Sequence, residues 1–304
     1  MLDDTIEVMF PDENIGIIGG VNRSYIAKTG GEISLEGDAT FEQLPYIFDA
    51  GIQTAAPTTD TGTGTGYIRT YNIQWSATDN ISSSDISYLV VEGGDNQQAE
   101  IMRSGFVREL TLSGSQGEAL MVNATVEGQA VSTATFTSGL SIPTVETILF
   151  SKAQLYIDPS SDAIGSTQKS STILSAELAL TTGWQAIPVG DGNLYFSSVK
   201  RVADEATLNI TFEHDAIGAA QIASWRAESE LGIRLLIQGT ALSVAGAYTY
   251  KTLQIDLYGK WSEFEPLSES DGNNVVSGTF RVGYSSAAAA KGQIIVVNES
   301  ATLP

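Results

Sequence analysis

Residues 207 to 213 read Thr-Leu-Asn-Ile-Thr-Phe-Glu, an unbroken alternation in which Leu208, Ile210 and Phe212 point one way and Thr207, Asn209, Thr211 and Glu213 the other. Successive side chains leave a β-strand on opposite faces, so this stretch is a strand with one face in a core and one that is wet or meets a partner. The same period of two runs through Glu32 to Glu36, Tyr67 to Trp75, Val107 to Leu112, Leu120 to Val126, Leu174 to Leu180 and Thr249 to Trp261. Clusters such as Thr58 to Gly66, Ser82 to Asp85 and Ser268 to Asn274 separate these runs and read as loops. With Thr, Ser, Ile, Val, Tyr and 30 Gly dominating usage, the chain is expected to be mainly β.

Two segments break the period. Thr40 to Ala50 sets Phe41, Leu44 and Phe48 at helical spacing, with Asp38 or Thr40 as cap and Pro45 in a first turn or at a bend. Ala216 to Leu231 follows Asp215 as cap, carries Ile222, Trp225 and Leu231 along one stripe and has Gly232 as C-cap. Each half of the chain thus offers one short helix among strands. The order around each helix is shared: alternating strand, acidic residue, Asp-Ala, helix, Gly-Ile. A Tyr-rich strand ending in Trp follows each, Tyr67 to Trp75 and Tyr248 to Trp261, and then a Gly-led strand, Gly105 to Arg108 and Gly278 to Arg281. This order predicts an internal duplication. The boundary falls near Gly139 to Thr144, giving one β unit over 1–142 with an N-terminal arm and a second over 143–304 with a C-terminal arm.

Of 304 residues, 15 are Lys or Arg and 36 Asp or Glu, a net charge of −21. Such an excess repels phosphate and argues against nucleic-acid binding or an anionic membrane partner. There is no Cys and one His, so disulfide frameworks, Cys or Cys/His zinc sites, HExxH proteases and cysteine proteases lack their atoms. At 42% hydrophobic and 17% charged, the chain is too apolar for disorder and long enough for about two domains. Its start is acidic where a signal peptide is basic, and no run approaches the roughly 18 apolar residues of a membrane span, so a cytoplasmic product that leaves only inside a particle is expected.

A family comes into view in Gly37-Asp-Ala followed by Thr40 to Ile52, in Leu208 to Gly239 as strand, helix and strand, in Tyr250 to Pro266, in Asp271 to Tyr284 and in Gln293 to Asn298. These patterns resemble the major tail tube proteins of long-tailed bacteriophages, over most of the chain but without a single diagnostic residue. The resemblance implies two tandem β-sandwich or half-barrel units, each flanked by one short α-helix. Copies would close into rings with a continuous inner β-barrel, stacked as a tube in the virion through which double-stranded DNA passes without specific binding. Two units in one chain imply a trimeric ring with pseudo-sixfold symmetry, and partners that include the tape-measure and other tail proteins. No catalysis and no cofactor are implied.

An acidic lumen suits a conduit for a polyanion because repulsion prevents adhesion; acidity also serves plain solubility. The long strands with a polar second face are candidates for the lumen or the subunit contact: Thr70, Asn72 and Gln74 on one, Thr252, Gln254, Asp256 and Lys260 on the other. A solvated outer face is the alternative. The loops Thr58 to Gly66 and Ser76 to Asp85 are candidates for ordering on stacking, or else mobile tips, and the first twenty residues and the tail after Ser286 read as arms. For catalysis, His214 beside Asp215 lies at a strand-to-helix junction where capping explains both. Glu263 with Glu265, or Asp204 with Glu205, could serve a glycosidase only at a suitable separation. Ser160 to Asp162 and Ser270 to Asn274 lack EF-hand spacing and read as turns. The readings that compete are a tail tube subunit, another self-assembling β-protein such as a baseplate, tail-terminator or surface-layer component, and a carbohydrate-active enzyme or lectin.

Overall fold

The computed structural model describes residues 2–12, 23–73, 82–95, 97–141, 143–270 and 272–303. The described residues are mainly strand. In the first half these are β1 (Asp3–Met9), β2 (Tyr25–Asp38), β3 (Thr58–Thr59), β4 (Tyr67–Asn72), β5 (Leu89–Gly94), β6 (Ala99–Ser115), β7 (Met121–Gly128) and β8 (Val131–Ala134). The second half adds β9 (Ala153–Pro159), β10 (Gln168–Lys169), β11 (Ile173–Thr181), β12 (Trp184–Ile187), β13 (Ser198–Arg201) and β14 (Glu205–Glu213). It closes with β15 (Glu230–Ala241), β16 (Tyr250–Phe264), β17 (Ser268–Ser270), β18 (Asn273–Val282) and β19 (Gly292–Asn298). The helices are α1 (Leu44–Gly51) and α2 (Ala216–Arg226).

All strands but the β12–β13 hairpin belong to one antiparallel sheet, which folds over on itself. One layer runs β1–β2–β7–β6–β11–β14–β18–β16. The other runs β10–β9–β15–β16–β19–β4–β3. The long strand β16 bends between them: Thr252 to Leu257 pair with β19 and Gly259 to Phe264 with β18. The apolar sides of the two layers meet in a core cluster that includes Leu110, Leu178, Leu208, Ile210, Phe212, Ile255 and Ile294.

Both helices form, with shifted ends. Phe41, Leu44 and Phe48 are buried, but α1 begins only at Leu44 with Pro45 in its first turn, and Thr40 accepts from the Gln43 amide at 3.1 Å one turn earlier. Asp215 caps α2, its Oδ1 accepting from the amides of Ile217 and Gly218 at 2.8 Å. This helix stops at Arg226, short of the expected Leu231; Glu228 turns the chain at φ 52° and Gly232 lies inside β15 rather than capping. There the alternating burial of Ile233 to Ile237 against two neighbouring strands overrides the helical stripe.

The tail after Ser286 is no arm: β19 sits between β16 and β4, with Ile294 and Val296 in the main core. The N-terminal segment pairs as β1 with β2; residues 13–20 of the expected arm lie outside the described residues. The Thr58 to Gly66 loop is anchored within the chain. Asp60 is 3% exposed and accepts from the amides of Thr61, Ala247 and Tyr248 at 2.7, 2.9 and 3.0 Å. Of the loop Ser76 to Asp85, residues 76–81 lie outside the described residues, and Ser82 and Asp85 form a capping box.

Candidate functional site

The layer β1–β2–β7–β6–β11–β14–β18–β16 buries one face and leaves the other open. Cross-strand registers put its outward residues in rows. One row runs Glu36, Asn123, Thr111, Ala179, Thr207, Arg281, Lys260. The next runs Asp38, Met121, Ser113, Glu177, Asn209, Thr279, Glu263, and a third runs Ser34, Thr125, Glu109, Thr181, Glu205. These are mostly polar side chains, with six carboxylates against Arg281 and Lys260, and Met121 is the one large apolar group in the three rows. The period of two dictates this, since the intervening residues, such as Leu110, Leu178 and Leu208, fill the core.

The open face is held by modest side-chain bonds: Ser34 Oγ donates to Asn123 at 3.1 Å, the hydroxyls of Thr211 and Ser277 lie 3.0 Å apart, and Arg281 meets Glu205 at 3.1 Å. The Arg281–Glu205 pair is mostly exposed, so solvent screens it. A shallow groove of about 460 Å³ crosses the middle of this face, lined by residues that include Ser113, Ser115, Glu177, Asn209, Thr211 and Ser277. Hydroxyls, an amide and the carboxylates of Glu118, Glu177 and Glu265 dominate it, beside Ala119, Met121 and Ala176, which suits water and passing solutes better than a held ligand.

The residues singled out from the sequence divide. Lys260 ends a row of the open face. Thr252, Gln254 and Asp256 are in register with one another's neighbours through β19, as Thr70–Ile295–Gln254 and Asn72–Gln293–Asp256, but they do not face an open channel. They are 1%, 8% and 1% exposed. Asp256 takes a bidentate pair from Arg234 at 2.6 and 2.8 Å and further bonds from Gln254 at 2.8 Å and Gln293 at 3.2 Å. The chain's own loops close over this side: Leu242 and Tyr248 pack on Ile295, Val297 and Ile68. Thr70 is half-buried, Asn72 is exposed, and Gln74 lies outside the described residues. Alternation distinguishes the chemistry of the two faces of a strand and does not say what covers them, which is why β16 was misjudged. The open rows on β2, β6, β7 and β11 carried the same signal as Thr207 to Glu213.

Arg69 was also invisible in the pattern. It is buried on β4 and donates to Asn298 Oδ1 at 3.1 Å and to the carbonyls of Ser300 and Ala301 at 2.9 and 3.2 Å, fastening the C-terminal segment. The other chemistry-bearing candidates fall into ion pairs and turns. Asp204 meets Lys291 at 2.6 Å and Glu205 meets Arg281. His214 is exposed beside the Asp215 cap. Among the described residues no three His, Cys, Asp or Glu side chains cluster to hold a metal ion, and no helix is long and apolar enough to cross a membrane.

The two halves also share neighbours. β6 lies between β5 and β8 in its first part and beside β7 in its second; β16 lies between β15 and β19 in its first part and beside β18 in its second. The strand leading into each helix, β2 or β14, pairs with β7 or β18 on one side and β1 or β11 on the other. Each long strand carries a register shift against its partner, between Val107 and Glu109 and between Trp261 and Glu263. The correspondence pairs β6 with β16 and β7 with β18, in place of the match of Tyr67–Trp75 to Tyr248–Trp261 that the sequence suggested. Comparison with family models and with curated proteins finds no match to this chain.

Proposed function

We propose that the chain is a structural virion protein, the tail tube subunit of a long-tailed phage, whose copies self-assemble into stacked rings that conduct the genome. The observation that carries this reading is the open polar face of the eight-strand layer, acid-bearing and almost free of large apolar side chains, on a chain of net charge −21. A wall of this chemistry offers DNA few groups to grip and repels its phosphates. The matched strand order of the two halves supports two tandem units, 1–142 and 143–304, and hence a ring of three copies with six similar parts around an inner barrel. In this reading the protein performs no catalysis and binds no cofactor. Its partners are further copies of itself, the tape-measure and other tail proteins, and DNA in transit.

The test is negative-stain microscopy of the purified full chain at high concentration. Tubes or stacked rings with an axial channel are expected; closed single rings or flat sheets would favour a terminator, baseplate or surface-layer role, and dispersed monomers at every concentration would overturn self-assembly.

A further inference from the structure

On the covered side of β16 the overlying loops leave a cavity of about 340 Å³, at the small end of the range for ligand pockets. Asn72, Gln293 and Asp256 line it as one row, successive partners across β4, β19 and β16, and Tyr258 follows Asp256 on the same face. Ile164, Ala289 and Ala290 complete its walls. A buried ion pair stabilises a fold no better than packed apolar groups of its volume, so stability does not explain a polar row held in this detail. The wall also carries strain: Ala289 sits at φ 53° in a turn closed by the Ser285–Ala290 bridge, and residues held in such conformations gather at ligand sites.

The hydrogen bonds decide what the cavity can take. Asp256 is already engaged by Arg234, Gln254 and Gln293, so it has little left for a cation. Its bidentate pair with Arg234 is neutral overall and draws neither sign of charge. Neutral groups remain. Gln293 gives its Nε2 to Asp256, which leaves its Oε1 as an acceptor. Asn72 is exposed at the end of the row, with an amide that both donates and accepts. Burial, with the Asp256 and Asp158 carboxylates and against Arg234, holds the Tyr258 phenol above its usual value, so it stays protonated and can donate. Tyr258 is the one aromatic among the described lining residues. Its ring packs on Gly232, where a Cβ would lie 3.0 Å from Tyr258 Cε1, so a flat base finds no sandwich of rings. A ring bearing several hydroxyls, each able to donate and accept, matches this set.

We infer that the cavity binds one neutral pyranose ring, with Asn72, Gln293 and Tyr258 contacting its hydroxyls. The site lies on the opposite layer from the open face and does not depend on the proposed ring of copies.

Saturation-transfer NMR on the purified full chain tests this, with the methyl glycosides of glucose, galactose, mannose and N-acetylglucosamine as probes and glucuronate as a charged counterpart. At least one neutral glycoside should receive transfer at its ring protons, and glucuronate should bind at least about tenfold more weakly. Transfer to none of the four would overturn the site, and glucuronate binding equally would overturn its neutral character. Asn72→Ala and Tyr258→Phe should each weaken binding by up to about tenfold, as the loss of one hydrogen bond does. Asn209→Ala, in the groove of the open face, should change nothing. Unaltered affinity in Asn72→Ala/Tyr258→Phe would refute the assignment. Should that variant fail to fold, amide shifts of the unaltered chain decide: changes confined to residues 71–73, 256–258 and 289–293 are expected, and changes only elsewhere refute it. A free sugar and the end of a glycan chain offer the same ring; binding of the methyl glycoside but not of the matching oligosaccharide marks the first, and binding of both the second. Monomers that bind the glycoside would remove the tube reading and keep this one, and tubes that bind none would do the reverse.

Discussion

Asp256→Ala separates the buried polar side of β16 from the open face of the layer beside it. Asp256 is 1% exposed and accepts four bonds, two from Arg234 and one each from Gln254 and Gln293. Truncation leaves the Arg234 guanidinium, 23% exposed, without its carboxylate, and leaves the side-chain amides of Gln254 and Gln293 without this acceptor. Breaking a buried pair by removing one partner costs about 3–5 kcal/mol, and each orphaned neutral donor adds about 1 kcal/mol. These contributions overlap, so about 4 kcal/mol is the expected loss. At about 2–4 °C per kcal/mol for a chain of this size, the midpoint should fall by about 8–16 °C. The assay is thermal unfolding of the unassembled chain by circular dichroism, with Glu177→Ala as a comparison on the open face expected within about 0.5 kcal/mol of the parent. Arg234→Met/Asp256→Leu should recover much of the loss, because the pair is then replaced by packing. A fall of under about 3 °C for Asp256→Ala, or equal effects of Asp256→Ala and Glu177→Ala, would refute the burial of this face as the reason for its polarity.

Charge reversal on the open face, Glu109→Lys/Glu177→Lys/Glu205→Lys, should leave folding intact and make assembled tubes bind short duplex DNA at low salt. Each phosphate neutralised should steepen the log–log salt dependence by about 0.9, read by fluorescence anisotropy, whereas the unaltered tube should bind none. Acid should destabilise the fold through two carboxyls held below their ordinary values. For Asp60, burial raises the value but three backbone amides outweigh it, and for Glu146 burial is outweighed by the Thr240 hydroxyl and amide and by Lys251. A lowered value means stability that is full above the unfolded value, 3.8 or 4.5, and lost as pH falls through the folded one. Asp60→Asn/Glu146→Gln should therefore flatten the acid limb of a stability-versus-pH curve below about pH 4.5; Asp49, raised by burial, acts in the opposite sense. Gly259→Ala should destabilise strongly, since a Cβ there would lie 2.1 Å from the Arg281 carbonyl where β16 passes between layers, and thermal unfolding reads it.

The strands of the layer were legible because one face is core and one is open, so Thr207 to Glu213 and Leu120 to Val126 alternate cleanly. β19 was read as an arm because Ile-Ile-Val-Val does not alternate; both its faces are covered, Ile294 and Val296 by the main core and Ile295 and Val297 by Leu242 and Tyr248. The buried Arg234–Asp256 pair and Arg69 escaped for the opposite reason, since a polar residue on a strand carries no mark of the loop folded over it. Asp215 was found because a cap is a local interaction, whereas the strand neighbours that relate the two halves are set by pairings up to 97 residues apart, as between Gly31 and Gly128.

A density map of the assembled full chain tests the central claim most directly. The account predicts threefold rings stacked along an axis, with Glu36, Thr111, Glu177, Asn209 and Thr279 of every copy turned toward the bore. A map in which that surface faces outward or is buried between rings, with other strands lining the channel, would contradict it.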